Sequence, residues 1–288
     1  MKGRELPWRL IVHGAHDGAF NMAMDQALFE GVQAGGRPVL RLYRWHPACL
    51  SFGRNQPARD LYDADIARDL GIDIVRRPTG GQAVCHDREL TYAVAVPLGI
   101  LGGPRQAYVT INRVLANALG RIGVPARLSD AGGRRRLAPR VPAAAPLAST
   151  PPADADNGGG IRLAALGPGP CFQEAAPGEV VVAGSKLVGS AQRFEKKTIL
   201  QHGSILIDGD QSAVVRIQRG QGVAPGSTGI RQVIGREPAI AELCTAVAEA
   251  FAEFAATRLD PEMPDAAETV RARDLEARYR SDEWTWRR

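Results

Sequence analysis

Between Cys171 and Ser204 the chain reads CFQEAAPGEVVVAGSKLVGSAQRFEKKTILQHGS, which sets one cysteine in a Pro/Gly-rich loop upstream of Lys186, a lysine on a Gly-bounded turn. A thiolate is a far better nucleophile than a thiol, and a nearby ammonium lowers a thiol pKa from its free value of about 8.5. Cys171 and Lys186 therefore have the makings of a nucleophilic centre. A buried cysteine and an unrelated surface lysine satisfy the same spacing, and the sequence does not show that the two side chains meet.

A second run, RRPTGGQAVCHDRELTYAV, extends from Arg76 to Val94. It follows a short apolar stretch, Ile72 to Val75, and leads into Leu90, Tyr92, Val94 and Val96, which alternate with Thr91, Ala93 and Ala95 as in a strand. Two strands thus flank a Gly-Gly loop. Gly80 and Gly81 let backbone N–H groups approach a ligand closely, and Arg76 and Arg77 offer positive charge beside them, which suits a phosphate or a long thioester-bearing ligand. Taken alone, the same residues also read as a plain hairpin turn, with His86-Asp87 as a surface pair.

Together with FNMAMDQAL at Phe20 to Leu28, LSFGRNQ at Leu50 to Gln56, PCF at 170 to 172, GSKLVGSAQ and ILQHGSIL, these runs resemble the lipoate–protein ligase and octanoyltransferase superfamily, most closely its LipM-type octanoyltransferases. The resemblance covers most of the chain. It implies an α/β (α+β) fold related to the biotin-ligase catalytic domain, with mixed sheets flanked by helices. It also implies a Cys/Lys mechanism in which Cys171 takes octanoyl from acyl carrier protein as a thioester and passes it to a lysine of a lipoyl domain, on a glycine cleavage H protein or a 2-oxoacid dehydrogenase E2. Lys186 would lower the Cys171 pKa, and Arg76, Arg77, Gly80, Gly81, His86, Ser190 and Gln192 would bind substrate. No metal or other cofactor is expected. The rival is an ATP-dependent lipoate–protein ligase, with Arg76, Arg77 and the Gly-Gly loop holding the nucleotide and Cys171 idle; Gln82, where ligase motifs commonly carry a third glycine, speaks against it. A further alternative is a non-catalytic binding protein.

The elements that must position these residues are legible in outline. Phe20, Met24, Ala27, Leu28 and Val32 recur at helical spacing behind Asp17, with Gly35-Gly36 as a stop. Val39 to Trp45 reads as a strand. Tyr108, Ile111, Leu115, Ala118 and Ile122 mark a second helix, and Ile240, Leu243, Cys244, Val247, Phe251 and Phe254 another beyond a Gly-rich stretch at 220–229. Residues 1–260 are expected to form a single catalytic domain, with 261–288 as a C-terminal tail packing on it. Residues 132–170 are rich in Ala, Pro and Gly and read as an insertion that buries little apolar surface.

With 288 residues and 44% hydrophobic content the chain can bury a substantial core. No apolar stretch is long enough to cross a bilayer and no leader is evident, so a cytoplasmic location with no membrane partner is expected. The four cysteines, at 49, 85, 171 and 244, have neither zinc-site spacing nor disulfide density. Cys49 and Cys244 read as core, and Cys85, inside the HD motif, as pocket wall. The net charge of +5 suits acidic protein substrates. Nucleic acid is not expected as a partner, because the Arg134–Arg136 cluster lacks neighbouring aromatics.

Overall fold

In the computed structural model, which describes residues 7–129, 172, 175–219, 226–259 and 261–288, the chain forms two mixed sheets flanked by helices, as the α/β expectation requires. In chain order the first elements are β1 (Arg9–His16), α1 (Gly18–Gln33), β2 (Val39–Trp45), β3 (Cys49–Phe52), α2 (Ala64–Asp69), β4 (Asp73–Arg76), β5 (Val84–His86) and β6 (Glu89–Pro97). They continue with α3 (Leu98–Leu101), α4 (Pro104–Arg121), β7 (Arg127–Leu128), β8 (Val180–Val182), β9 (Ser185–Glu195) and β10 (Thr198–Leu206). The helices α5 (Ser212–Ile217), α6 (Ile230–Ile234), α7 (Ile240–Phe254), α8 (Ala266–Arg280) and α9 (Asp282–Thr285) complete the order. The insertion at 132–170 and Cys171 lie outside the described residues.

The larger sheet runs β1-β2-β6-β10-β9-β8-β7, with β1 parallel to β2 and the other neighbours antiparallel. Its centre shows how the sequence encodes three layers. The large residues of β6, Leu90, Tyr92, Val94 and Val96, face α4 and α7, where Ile111, Leu115, Leu243, Val247 and Phe251 meet them. The small ones, Ala93 and Ala95, lie beneath α1. Alternation on this strand therefore separates large from small rather than buried from exposed, as expected for a strand covered on both faces. Burying each large aliphatic chain stabilises the fold by about 1.5–3 kcal/mol.

Helix α1 starts where Asp17 accepts a hydrogen bond from the Phe20 N–H at 2.8 Å. Apolar residues around most of its circumference are buried between the sheet and α8, which is itself opened by a capping box of Asp265 and Glu268. The smaller sheet runs β4-β3-β5, with β3 parallel to β4 and antiparallel to β5. Because β4 and β5 both pair with β3 and not with each other, the segment 77–83 carrying Gly80-Gly81 spans the sheet and is not a hairpin turn. Among the described residues, no helix is long and apolar enough to cross a membrane.

Candidate functional site

A pocket opens between the two sheets. Its walls come from Met22 of α1, Tyr43 and Trp45 of β2, Ser51 of β3, His86 of β5, Thr91 of β6, and facing stretches of β9 (Gly189–Ala191) and β10 (His202–Ser204). Two buried histidines look into it, each backed by a carboxylate.

His86 stacks on Trp45 with ring centroids 4.1 Å apart and planes 11° from parallel. Its Nδ1 lies 2.9 Å from Glu89 Oε1 and its Nε2 2.7 Å from Ser51 Oγ. A carboxylate only accepts, so the proton sits on Nδ1 and the Ser51 hydroxyl donates to Nε2. Ser51 Oγ in turn accepts from Arg77 Nη1 at 3.0 Å. Glu89 Oε1 also accepts from the Thr91 hydroxyl at 2.5 Å, while Glu89 Oε2 is buried without a hydrogen-bond partner among the described residues.

His202 Nδ1 donates to Asp25 Oδ2 at 2.8 Å, and its Nε2 accepts from the Thr79 hydroxyl at 2.6 Å, tying β10 to the Gly-Gly loop. Asp25 is fully buried and also receives Arg41 Nη1 at 2.7 Å and the Tyr43 hydroxyl at 2.8 Å. Burial works to raise the Asp25 carboxyl, but Arg41 and His202 hold it below the usual carboxylate range. Burial lowers the His202 imidazole despite Asp25. The ring is accordingly neutral, with a fixed tautomer.

Lys186, on β9 three residues before Gly189 of the pocket wall, does not itself line the pocket; it is 3% exposed, and its Nζ donates to Glu179 Oε1 at 2.8 Å. Glu179 is braced by the Ala176 N–H and the Tyr108 hydroxyl. The ring of Phe172, the residue following Cys171 in the chain, lies 5.2 Å from Lys186 Nζ. Phe172 packs so closely on β9 that a Cβ at Gly189 would come within 2.7 Å of it. Cys171 itself lies outside the described residues.

The remaining expected residues divide sharply. Arg77 reaches the pocket wall, but its guanidinium is engaged with the Ser51, Gly80 and Gln82 carbonyls. Arg76 does not line the pocket. It is fully buried and donates to the carbonyls of Gly53, Gln56 and Thr285, and burial together with Arg287 and Arg77 pulls it down to about 10. Gly80 and Gly81 are exposed on the loop; Gly81 has φ +95, and a Cβ there would lie 2.7 Å from Arg77 Nη2. Ser190 lines the pocket, yet its hydroxyl turns to Asn112 on α4 and to Tyr92. Gln192, two residues on and so on the same face of β9, bonds to the Pro104 carbonyl and Gln201 and is absent from the pocket wall. Cys85 is not pocket wall either. On β5 Val84 and His86 face the pocket, so Cys85 points the other way, into a cluster with Leu50, Phe52 and Tyr62, where burial pushes its thiol up to about 12. Cys49 is fully buried, as expected, and Cys244 is partly buried against the main core.

Asp25, Thr79, Glu89, His202 and Glu179 were not singled out from the sequence. The available signals were an acid inside the apolar run FNMAMDQAL and polar residues inside apolar strands, since a buried charge requires a partner.

The family profile described as Lipoyl protein ligase A/B catalytic domain matches residues 17–252. The chain is 36% identical to the octanoyltransferase LipM of Kyrpidia tusciae over 297 residues, covering 98% of this chain and 99% of that protein. It is 30% identical to the octanoyltransferase LipM of Staphylococcus aureus, with 98% and 99% covered. Among solved structures it is similar to a lipoate-protein ligase A bound with ATP (TM-score 0.73, 20% identity, 98% of this chain and 99% of that one). It is also similar to a lipoate protein ligase from T. acidophilum with bound lipoic acid (TM-score 0.72, 20% identity, 98% and 100% covered). At that identity the structural likeness establishes the fold.

Proposed function

This chain belongs to the lipoyl protein ligase A/B catalytic domain family, and from its full-length likeness to octanoyltransferases we infer that it transfers an octanoyl group in protein lipoylation. We further propose that the group passes through Cys171. In the first half-reaction the Cys171 thiolate attacks the carbonyl of an octanoyl thioester on acyl carrier protein, the donor carbon–sulfur bond breaks, and the pantetheine thiol leaves with a proton. In the second, the neutral ε-amine of a lipoyl-domain lysine attacks the enzyme thioester. Its carbon–sulfur bond breaks, the thiolate returns, and the nitrogen loses its extra proton as the amide forms. Acceptors of the glycine cleavage H protein or 2-oxoacid dehydrogenase E2 type fit this chemistry.

One observation carries the assignment. The buried Lys186 ammonium stands 5.2 Å from the ring of the residue next in chain to Cys171, held there by Glu179. A cation so placed favours thiolate over thiol. His86 and His202, with fixed tautomers, would line the acyl and pantetheine pocket; Ser190 would contribute to its wall, and Gly80 and Gly81 to its rim. Arg76 and Arg77 would act as positioning residues, since the guanidinium of each hydrogen-bonds backbone carbonyls of the surrounding loops. That commitment also weakens the ligase reading, which needs them for a nucleotide. The reaction needs no ATP, because a thioester is already activated.

The test is donor choice. Octanoyl-carrier protein without ATP should support transfer to a lipoyl domain, and free octanoate or lipoate with ATP should not. Modification dependent on ATP and free acid, and retained in Cys171→Ala, would make the protein a ligase.

A further inference from the structure

An arginine cluster lies beside the pocket, and its charge is not used by the site. Arg278 and Arg287 stack on the Trp284 ring, 3.7 and 4.0 Å from its centroid, and Arg287 also hydrogen-bonds the Arg54 carbonyl. The Arg54 N–H donates to the Thr79 carbonyl at 2.7 Å, so this residue adjoins the exposed Gly80-Gly81 loop. Arg193 follows two residues after Ala191 of the pocket wall. Burial first and then neighbouring guanidinium groups lower Arg54 and Arg287: Arg193 and Arg278 act on Arg54, and Arg54, Arg288 and Arg278 act on Arg287. The acids nearby are engaged, Glu195 with Arg193 and Glu30 with Arg271. Among the described residues no carboxylate lies in ion-pair range of Arg54, Arg278 or Arg287. Arg76, buried alongside, adds a further cation that hydrogen-bonds backbone carbonyls.

We propose that Arg54, Arg278 and Arg287 form the docking surface for the acceptor, a folded domain that presents Asp and Glu side chains around the lysine to be acylated. The proposal rests on the octanoyl-transfer reading. Uncompensated arginines on an exposed rim call for an anionic partner, and such complementarity raises association rates and fixes register. Trp284 is buried with guanidinium groups on its ring, so it offers no free face for stacking a base, and an acidic protein fits better than nucleic acid. Reach separates acceptor from donor. A donor acyl group travels on a long pantetheine arm, whereas an acceptor lysine has a four-carbon stem, so its domain must rest against the rim for the amine to enter.

The experiment separates the half-reactions. Wild-type enzyme and the double variants Arg278→Glu/Arg287→Glu and Arg278→Gln/Arg287→Gln are loaded from octanoyl-pantetheine or, in a second arm, from octanoyl-carrier protein, then chased with a lipoyl domain or with hydroxylamine. Charge reversal should lower kcat/KM for the domain about tenfold or more, and neutralisation less, with hydroxylamine release unchanged. Wild-type transfer should slow as salt rises, and the reversed variant should lose that dependence. Unaltered transfer to the domain, or an equal loss with hydroxylamine, overturns the proposal. A defect confined to loading from carrier protein would assign the surface to the donor, and an oligonucleotide bound through these arginines with transfer unaffected would assign it to nucleic acid. Failure of wild-type enzyme to load at all would instead count against the octanoyl-transfer reading.

Discussion

The two histidine systems in the pocket share a plan and differ in charge balance. Asp25 behind His202 faces Arg41, with both side chains fully buried. Glu89 behind His86 accepts from a threonine hydroxyl and the imidazole and, among the described residues, has no arginine or lysine within ion-pair range and leaves one oxygen without a hydrogen-bond partner. A carboxylate inside a compensated network is a structural keystone, since removing its charge strands a buried guanidinium. One without a cation holds an imidazole in place and can be replaced by an amide at smaller loss.

The largest effect should follow from breaking the compensated side. Asp25→Asn should destabilise the protein by about 3–5 kcal/mol, because Arg41 would remain buried beside a neutral amide. Urea unfolding measures this, and a loss under about 1 kcal/mol would show that Arg41 is solvated by other means.

Acid should act in the same direction. Asp25, His202 and His13 all have folded pKa values below their unfolded ones; His13 is pulled from 6.5 to about 4 by burial and by Arg41. Each contributes stability that is present above the unfolded value and lost as pH falls through the folded one. The urea midpoint should therefore drop between pH 6.5 and 4 as the imidazoles are forced to charge, and again as Asp25 protonates below the usual carboxylate range. His13→Gln should flatten the first limb, and an unchanged slope would remove His13 from the account.

The uncompensated side should be the more forgiving. Glu89→Gln should cost about 1 kcal/mol, since the amide oxygen can still accept from His86 and Thr91. A loss as large as that of Asp25→Asn would erase the distinction between the two systems.

The same contrast explains what was legible in the sequence. Helix α1, strand β2 and helices α4 and α7 follow from local periodicity and from Asp17 and the glycines that punctuate them. The pocket was legible at His86 only through the family motif, since the residues taken alone read as a surface pair. Arg76 and Arg77 look alike in sequence, yet one closes a loop against the Thr285 carbonyl and the other reaches the pocket, a difference made by a tail more than two hundred residues away. Ser190, Gln192 and Cys85 were assigned by motif, whereas strand alternation decides which way each points. Asp25 and His202 come together only when α1 crosses β10. The insertion and Cys171 lie outside the described residues, so for them the sequence is the whole of the argument.

Intact-mass analysis tests the central claim most directly. Enzyme mixed with octanoyl-carrier protein and no ATP should gain the mass of one octanoyl group, mapping to the peptide that contains Cys171. Lys186→Ala should slow that gain and move the alkylation profile of Cys171 to higher pH, because removing a neighbouring cation disfavours the thiolate. Cys171→Ala should abolish the adduct, while Cys85→Ala and Cys244→Ala should retain it. An adduct that persists in Cys171→Ala, or transfer to a lipoyl domain without any adduct, would contradict a reaction through this cysteine.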